Sequence, residues 1–558
     1  MQSPTITETA AGGRRLHRRA SEILAEFASP SVTAAWLMCD RHPEEQVAFR
    51  FVHEDLAEEA MTYGQLKARS EHAAHVLAAQ GIGVGDRVAS LMGKGPDLPA
   101  LILGIWRLGA VYVPLFTAFA AATVADRVSA AGVRVIVTDP DQASKVEGLD
   151  CTVMLANLSK ENSAAVTASG MIPFVKGDAR LTGAVAPEGP GTALVHMFTS
   201  GTTGKPKAVV HPLAYVAGWQ SYLELGLAPG DTFWCGADPG WAYGLYTSLI
   251  APLTAGIPSI ISCGAFKPQT SWRLLEAFGV TDFAAAPTVY RAMRGADPKV
   301  ELPRLRHLSS AGEPLTPDVG EWTRDRLGLD VHDHFGQTEL GMPAGFAHHP
   351  DLWLNPVPGA MGTAFPGWEL TALKLSDDNI ADAGEVGRLA VRVDASPFFT
   401  FTGYGVDRDL RGSRFTHDGS YYLTGDLVSI DAEGLIRFSS RDDDVILMAG
   451  YRIGPFDVES VLVKHPVVAE AAVVASPDEV RGEVIHAFVV PSDPALVDDL
   501  DAGRAMTAVL QDWVKQNYGA HAYPRRITFI DSLPKTPSGK VQRTVLRGLA
   551  DTKQEDHK

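Results

Sequence analysis

Apolar side chains recur along this chain with two periods, and the two alternate. Between residues 63 and 80 they follow helical spacing, whereas residues 87–92, Arg-Val-Ala-Ser-Leu-Met, read as a short strand buried on both faces. The alternation returns later: a helical pattern at 271–278, a strand at 281–286, a helix opening at Pro287 and a strand at 307–310. Such a succession predicts sheets covered by helices, the α/β class. The longest apolar segment, 100–116, is broken by Arg107, Gly104 and Gly109, so it reads as buried core and not as a membrane span. No internal repeat of fixed period interrupts the pattern.

Near residues 439–444 the run Ser-Ser-Arg-Asp-Asp-Asp separates two strand-like stretches and marks a domain boundary. Beyond it come strand-like 445–448, helix-like 457–464, and strands at 471–475 and 487–490, the pattern of a small α+β unit. The expected organisation is a large N-terminal domain, 1–439, and a small mobile C-terminal domain, 440–558. A chain of 558 residues is too long for one ordinary core, which agrees with this division.

The formal net charge of −17 argues against general binding to nucleic acid or anionic membranes, while leaving room for an anion in a locally basic cleft. Cys39, Cys151, Cys235 and Cys263 are widely spaced, which fits a reduced, cytoplasmic compartment and suggests neither a disulfide framework nor a zinc site. The basic stretch from Arg14 to Arg19 reads more simply as a helix start than as a transit peptide. The oligomeric state is not legible, and a homo-oligomer stays open.

The most informative segment is Thr199-Ser200-Gly201-Thr202-Thr203-Gly204-Lys205-Pro206-Lys207. Glycines let backbone amides turn toward an anion, hydroxyls add neutral donors and two lysines add charge, so the segment suits a polyphosphate. It lacks Walker A spacing, and the following Ala-Val-Val-His is strand-like where a Walker loop would open a helix. A flexible surface turn is the plainer alternative. Together with its flanks, residues 197–211, this segment resembles the signature loop of the adenylate-forming (AMP-binding) superfamily, in its acyl-CoA synthetase branch. That resemblance implies a large N-terminal and a smaller C-terminal domain, with ATP, Mg²⁺ and coenzyme A as cofactors.

Further motifs occur in the family's order. Ala311-Gly312-Glu313-Pro314 resembles the segment along the adenine, and His334-Phe335-Gly336-Gln337-Thr338-Glu339 the segment enclosing the nucleotide. The resemblance implies that Phe335 stacks on adenine, Thr338 contacts the α-phosphate and Glu339 ligates Mg²⁺. An aromatic face, a small hydroxyl and a hard oxygen suit those tasks. Standing alone, Phe335 would be a core aromatic and Glu339 a helix-capping carboxylate. Asp426, in Thr424-Gly425-Asp426, resembles the ribose-binding aspartate, with Arg441 joining it at the ribose.

Asp443 matches the hinge position, Gly450 a residue lining the pantetheine path and Arg452 an arginine near the phosphate; as plain sequence the acidic triplet is a solvated turn. Lys540, in Pro-Lys-Thr-Pro-Ser-Gly-Lys, resembles the superfamily's catalytic lysine. A long ammonium can neutralise charge on the attacking carboxylate and the α-phosphoryl group. The implied reaction has two halves: a carboxylic acid becomes an acyl-adenylate with loss of pyrophosphate, then coenzyme A takes the acyl group and AMP leaves. For the acid pocket the resemblance points to Trp241, Tyr243, Ala311 and Gly336. In acetyl-CoA synthetases a tryptophan occupies the position of Gly336; its loss opens volume and favours propionate-to-medium-chain or aromatic acids. An adenylating ligase with an amine or carrier-protein acceptor, and a silent nucleotide-binding scaffold, are the rival readings.

Overall fold

The helix Tyr63–Ala79 starts where it does because Thr62 caps it. The Thr62 hydroxyl accepts from the Gln65 N–H at 3.3 Å, and the Gln65 side chain accepts from the Thr62 N–H at 2.9 Å. This reciprocal box satisfies two donors that a helix start otherwise leaves unpaired. The computed structural model describes residues 6–157, 172–174, 179, 181, 189–199, 207–228, 230–405, 414–448, 451–478, 482–519, 522–536 and 540–555. Within them, the apolar run at 100–116 belongs to the helix Asp97–Arg107 and the strand Val111–Pro114, both buried along their length. Arg107 is tolerated there because its guanidinium takes both oxygens of Asp40, at 2.6 and 2.9 Å, and the Ser70 hydroxyl at 2.9 Å.

Two largely parallel sheets form the body of the large domain. One has seven strands, in the order Ile172–Pro173, Thr152–Leu155, Val133–Thr138, Arg87–Leu91, Val111–Pro114, Ala193–Thr199 and Lys207–Pro212. Its last pair is antiparallel, with Thr199 opposite Lys207. The other has nine strands, in which Phe233–Cys235, Ser259–Ser262, Asp282–Ala285, His307–Ala311 and Val331–Gln337 run parallel. Ligand clefts in such sheets lie at the carboxyl ends of the strands. Gly312 and Thr338 follow two of those ends directly.

A four-stranded antiparallel sheet follows, ending in Tyr421–Ile430 and Ile436–Arg441. The serines at 439 and 440, which suggested a break by polarity, lie inside that last strand; Ser440 is buried opposite Leu427. The chain turns only at 442–444. Past the turn, a mixed five-stranded sheet, covered by the helices Pro455–Leu462 and Leu500–Asn517, has its own core around Ile446, Val458, Val473, Ile485 and Leu510. A large domain of sheets and helices with a smaller α+β one is therefore the architecture. Among the described residues no helix is long and apolar enough to cross a membrane, and the four cysteines are unpaired.

Several histidines are buried in these sheets. His307, His332 and His334 come from neighbouring strands, and the His348 ring stacks on His307 at 4.3 Å and on His332 at 3.9 Å. Burial holds His332 down to about 4, His334 to about 3 and His348 well below an ordinary histidine. Burial does the same to His196, at about 4, and to His211, at about 3. Above pH 6.5 folded and unfolded chains bind no protons at these sites, and their full stability contribution is present. As the pH falls below 6.5 the unfolded chain takes up protons that the folded one refuses, so stability is lost down to about pH 3. Each such histidine costs on the order of 1 kcal/mol at pH 5.5. Urea denaturation at pH 7.5 and pH 5.5 should therefore show a markedly lower midpoint at pH 5.5. An unchanged midpoint would contradict the neutral, buried state of these rings.

Candidate active site

Antiparallel pairing of Tyr421–Ile430 with Ile436–Arg441 sets Asp426 directly opposite Arg441. The Arg441 guanidinium donates to Asp426 Oδ1 at 2.9 Å, and the Gln337 amide donates to Oδ2 at 2.8 Å. Asp426 is only 3% exposed; burial raises its pKa, and Arg441 is the first of the partners that pull it back. Gly425, at φ +77°, makes possible a bulge within the strand between Thr424 and Asp426, and the Arg414 guanidinium donates to the Thr424 carbonyl at 3.0 Å.

A second carboxylate, Glu339, follows the strand Val331–Gln337 and is 8% exposed. Its Oε1 accepts from the Tyr404 hydroxyl at 2.7 Å, and the Lys207 ammonium lies 5.0 Å from the centre of the Tyr404 ring. The Thr338 carbonyl just before it is held twice, by His211 Nε2 at 2.7 Å and by the Tyr215 hydroxyl at 2.9 Å. With its other nitrogen bonded to the Tyr246 hydroxyl at 2.8 Å, neutral His211 fixes this corner of backbone. A third carboxylate, Glu313, takes the Thr288 hydroxyl at 2.9 Å and the Arg291 guanidinium at 3.2 Å. Burial raises the Glu313 pKa, while Arg291, Thr288 and Lys540 pull it back.

These groups line one cleft of about 490 Å³ together with Thr199, Trp241, Gly312, Phe335 and Lys540. Lys540 keeps solvent access through the cleft. The protein around its ammonium pushes its pKa below the ordinary lysine value, and the charges of Glu313, Asp426 and Glu339 oppose that shift while Arg441 adds to it. The arrangement joins a lysine from the small domain to three carboxylates from the large one, a setting that suits a polyanion with a cation.

Gly312, Glu313, Pro314, His334, Phe335, Gly336, Gln337, Thr338, Glu339, Asp426, Arg441, Thr199, Trp241 and Lys540 are thus brought together. Ser200, Gly201, Thr202, Thr203, Gly204, Lys205 and Gly450 lie outside the described residues, as does the side chain of Arg452. Four of the expected residues have surroundings that the sequence did not show. His334 offers its ring nitrogens to no ligand, because they bond to the Tyr222 hydroxyl at 2.9 Å and the Phe346 carbonyl at 3.0 Å. Ala311 is buried within its strand at 2% exposure, and its neighbour Gly312 faces the cleft. Tyr243 packs beside Trp219, ring centres 6.5 Å apart, and stands off the cleft lining. Gly336 does not leave open space: a Cβ there would lie 2.3 Å from Met342 Sδ and 2.4 Å from the Gly341 carbonyl oxygen. The thioether of a neighbouring strand fills the direction an indole would take.

Arg291, Tyr404, Arg414 and the His211–Tyr215 contact were not legible in the sequence. These reach the site from separate elements with no fixed spacing to any motif. Only the run Thr-Gly-Tyr at 402–404, and His211 at the end of a strand-like stretch, offered a local signal.

Residues 37–404 match the model of the AMP-binding enzyme family, and residues 457–540 match that of the AMP-binding enzyme C-terminal domain. The chain is 34% identical over 532 residues to an acetyl-coenzyme A synthetase of Bacillus subtilis (strain 168), covering 92% of this chain and 90% of that protein. It is 32% identical over 521 residues to the mitochondrial acyl-coenzyme A synthetase ACSM5 of Mus musculus, covering 91% and 87%. A crystal structure of a Brucella canis acyl-CoA synthetase superposes with a TM-score of 0.70 at 38% identity, over 96% of this chain and 97% of that one.

Gly425→Ala tests the geometry at the centre of the cleft. A methyl group there is strained at φ +77° and would lie 2.5 Å from the Arg414 guanidinium. The backbone strain should cost about 1 kcal/mol, read as a lower urea midpoint, and displacement of Arg414 should add to it. An unchanged midpoint would show that this bulge is free to relax.

Proposed function

This chain belongs to the AMP-binding enzyme family, and on that premise we propose that it is an ATP-dependent acyl-CoA synthetase whose cleft makes an acyl-adenylate and then an acyl-CoA. The observation that carries the reading is the meeting of Lys540 with Glu313, Glu339 and Asp426 in one cleft across two domains. In this scheme Asp426 accepts the ribose hydroxyls while Arg441 and Gln337 hold it ionised. Phe335 supplies a face for the adenine along Gly312-Glu313-Pro314, and Thr199 with the loop through Lys205 takes the β- and γ-phosphates.

A carboxylate oxygen of the acid then attacks the α-phosphorus and pyrophosphate departs. Lys540 neutralises the charge that gathers on the attacking oxygen and the phosphoryl group, and the Thr338 hydroxyl contacts the α-phosphate. Glu339 fits a Mg²⁺ ion: it is an acceptor-only oxygen ligand in the cleft, Oε1 is steadied by Tyr404, and Oε2 takes no hydrogen bond among the described residues. Bound there, Mg²⁺ would neutralise phosphate charge. In the second half, the small domain rotates about the turn at Asp443, the Lys540 loop withdraws, and coenzyme A reaches the acyl carbon along a path that Gly450 and Arg452 border. The thiolate displaces AMP.

The acid is a small carboxylic acid. Met342 fills the space beside Gly336, and Trp241 is packed by Phe116 and Phe119 at 5.5 and 5.4 Å, so support is strongest for the short end of the propionate-to-medium-chain range. We place the enzyme in the cytoplasm, on its four unpaired thiols, and leave a homo-oligomer as a proposal that sedimentation would decide.

Lys540→Ala should lower acyl-adenylate formation about 10²–10³-fold, while thioester formation from supplied acyl-adenylate and coenzyme A stays within about threefold. Equal losses in both halves would refute the role given to Lys540. Met342→Ala should raise kcat/KM for hexanoate relative to propionate by about tenfold, scored as coenzyme A-dependent AMP release across acids from acetate to decanoate and benzoates. An unaltered ranking would remove Met342 from the acid pocket.

A further inference from the structure

The acidic triplet at the domain junction is divided between two neighbours. The Asp442 N–H donates to the Gly425 carbonyl at 2.9 Å, which ties the start of the turn to the strand that carries Asp426. Asp443 Oδ1 lies 3.6 Å from the Arg441 guanidinium, on the nucleotide side. Asp444 faces the other way, into the C-terminal helix Arg543–Glu555. Its carboxylate pairs with Arg547 and lies 3.7 Å from the Arg543 guanidinium, and Arg547 also donates to the Asp443 carbonyl at 3.3 Å.

Arg543 is itself held. Its guanidinium donates to both oxygens of Glu459, at 2.6 and 2.9 Å, and Glu459 Oε1 also accepts from the Val473 N–H at 2.8 Å. One carboxylate therefore locks together the helix Pro455–Leu462, the strand Val468–Asp478 and the C-terminal helix. Lys540 stands three residues before Arg543. Its own backbone is bound to Thr536 on both sides, N–H to hydroxyl at 3.1 Å and carbonyl from N–H at 2.7 Å, and Gln542 N–H closes the loop onto the Pro534 carbonyl at 2.8 Å. Asp444, Glu459, Arg543 and Lys540 all line the cleft.

We propose that Asp444 is a positioning residue that couples the angle of the domain junction to Lys540, acting through Arg547 and Arg543. Opposite charges alternate from Asp426 through Arg441 to Asp443, and from Asp444 through Arg543 to Glu459. The Lys540 side chain is long and flexible, so the small domain must deliver its backbone to one place. The Asp444 pairing, with the Arg547 bond to the Asp443 carbonyl, ties the hinge turn to the helix that follows the lysine loop, so that the loop moves with the turn; the coenzyme A step needs no such register. The inference rests on Lys540 serving the adenylation half-reaction.

The test uses the full-length protein as Asp444→Asn, Arg547→Gln and Asp444→Glu, with Lys540→Ala run beside them. Adenylation is read by hydroxylamine trapping of the acyl group, and the second half by thioester formation from supplied acyl-adenylate. Asp444→Asn and Arg547→Gln should each lower kcat for adenylation about tenfold or more, with KM for ATP and the thioester step within about twofold of the parent. Asp444→Glu should recover part of the loss. Equal falls in both half-reactions, or none in either, would overturn the coupling. If Lys540→Ala loses adenylation while Asp444→Asn and Arg547→Gln keep it, the coupling alone fails; if Lys540→Ala keeps adenylation, the role of the lysine fails and the coupling with it. Arg547 is more exposed than Asp444, so its variant keeps the test decisive should Asp444→Asn fold poorly.

Discussion

A buried carboxylate that must stay ionised governs this cleft. Asp426 lies deep enough that desolvation favours its neutral form, and a neutral acid would be a poorer acceptor for a sugar's hydroxyls. Arg441 prevents this from the facing strand, in register, and Gln337 occupies the other oxygen. Removing one partner of such a pair leaves an uncompensated buried charge, which is far costlier than losing a surface ion pair. The four-stranded sheet that sets this register also leads, through Arg441, into the turn on which the small domain hangs. In the proposed scheme, ribose recognition and domain geometry therefore share one arginine.

The rest of the cleft follows the same economy of support. Thr338 and Glu339 stand at the end of a parallel strand, where the chain must turn, and their backbone is pinned by His211 and Tyr215. A neutral histidine suits this task because a charged ring would be unstable in so dry a place. The cost appears elsewhere in the molecule, as a fold that depends on several imidazoles remaining uncharged. Met342 illustrates a different constraint: a residue on one strand decides whether a glycine on the next opens a pocket or simply allows two strands to approach.

Much of this was legible in the sequence. Strand and helix patterns at 63–80, 87–92, 281–286 and 307–310 correspond to elements of the fold, because burial on one or both faces writes itself into local periodicity. Asp426, Arg441, Glu339 and Lys540 were visible as motif positions, and the cleft gathers them. What escaped was non-local. Tyr404 meets Glu339 across 65 positions of sequence, and Arg543 meets Glu459 across 84, so no spacing rule could pair them. The serines at 439–440 belong to an edge strand, where a polar residue can be buried as readily as an apolar one, and the turn follows at 442–444. The tight approach of Met342 to Gly336 was equally hidden, because it comes from the strand beside it.

The claim that all else depends on is that this cleft activates a carboxylic acid on the α-phosphorus of ATP before coenzyme A takes part. Exchange of labelled pyrophosphate into ATP, measured without coenzyme A, tests it most directly. The account predicts exchange that appears only when a suitable short-chain acid is present. Exchange that stays at background for every acid from acetate to decanoate and for benzoates, or that proceeds equally well with no acid at all, would contradict it.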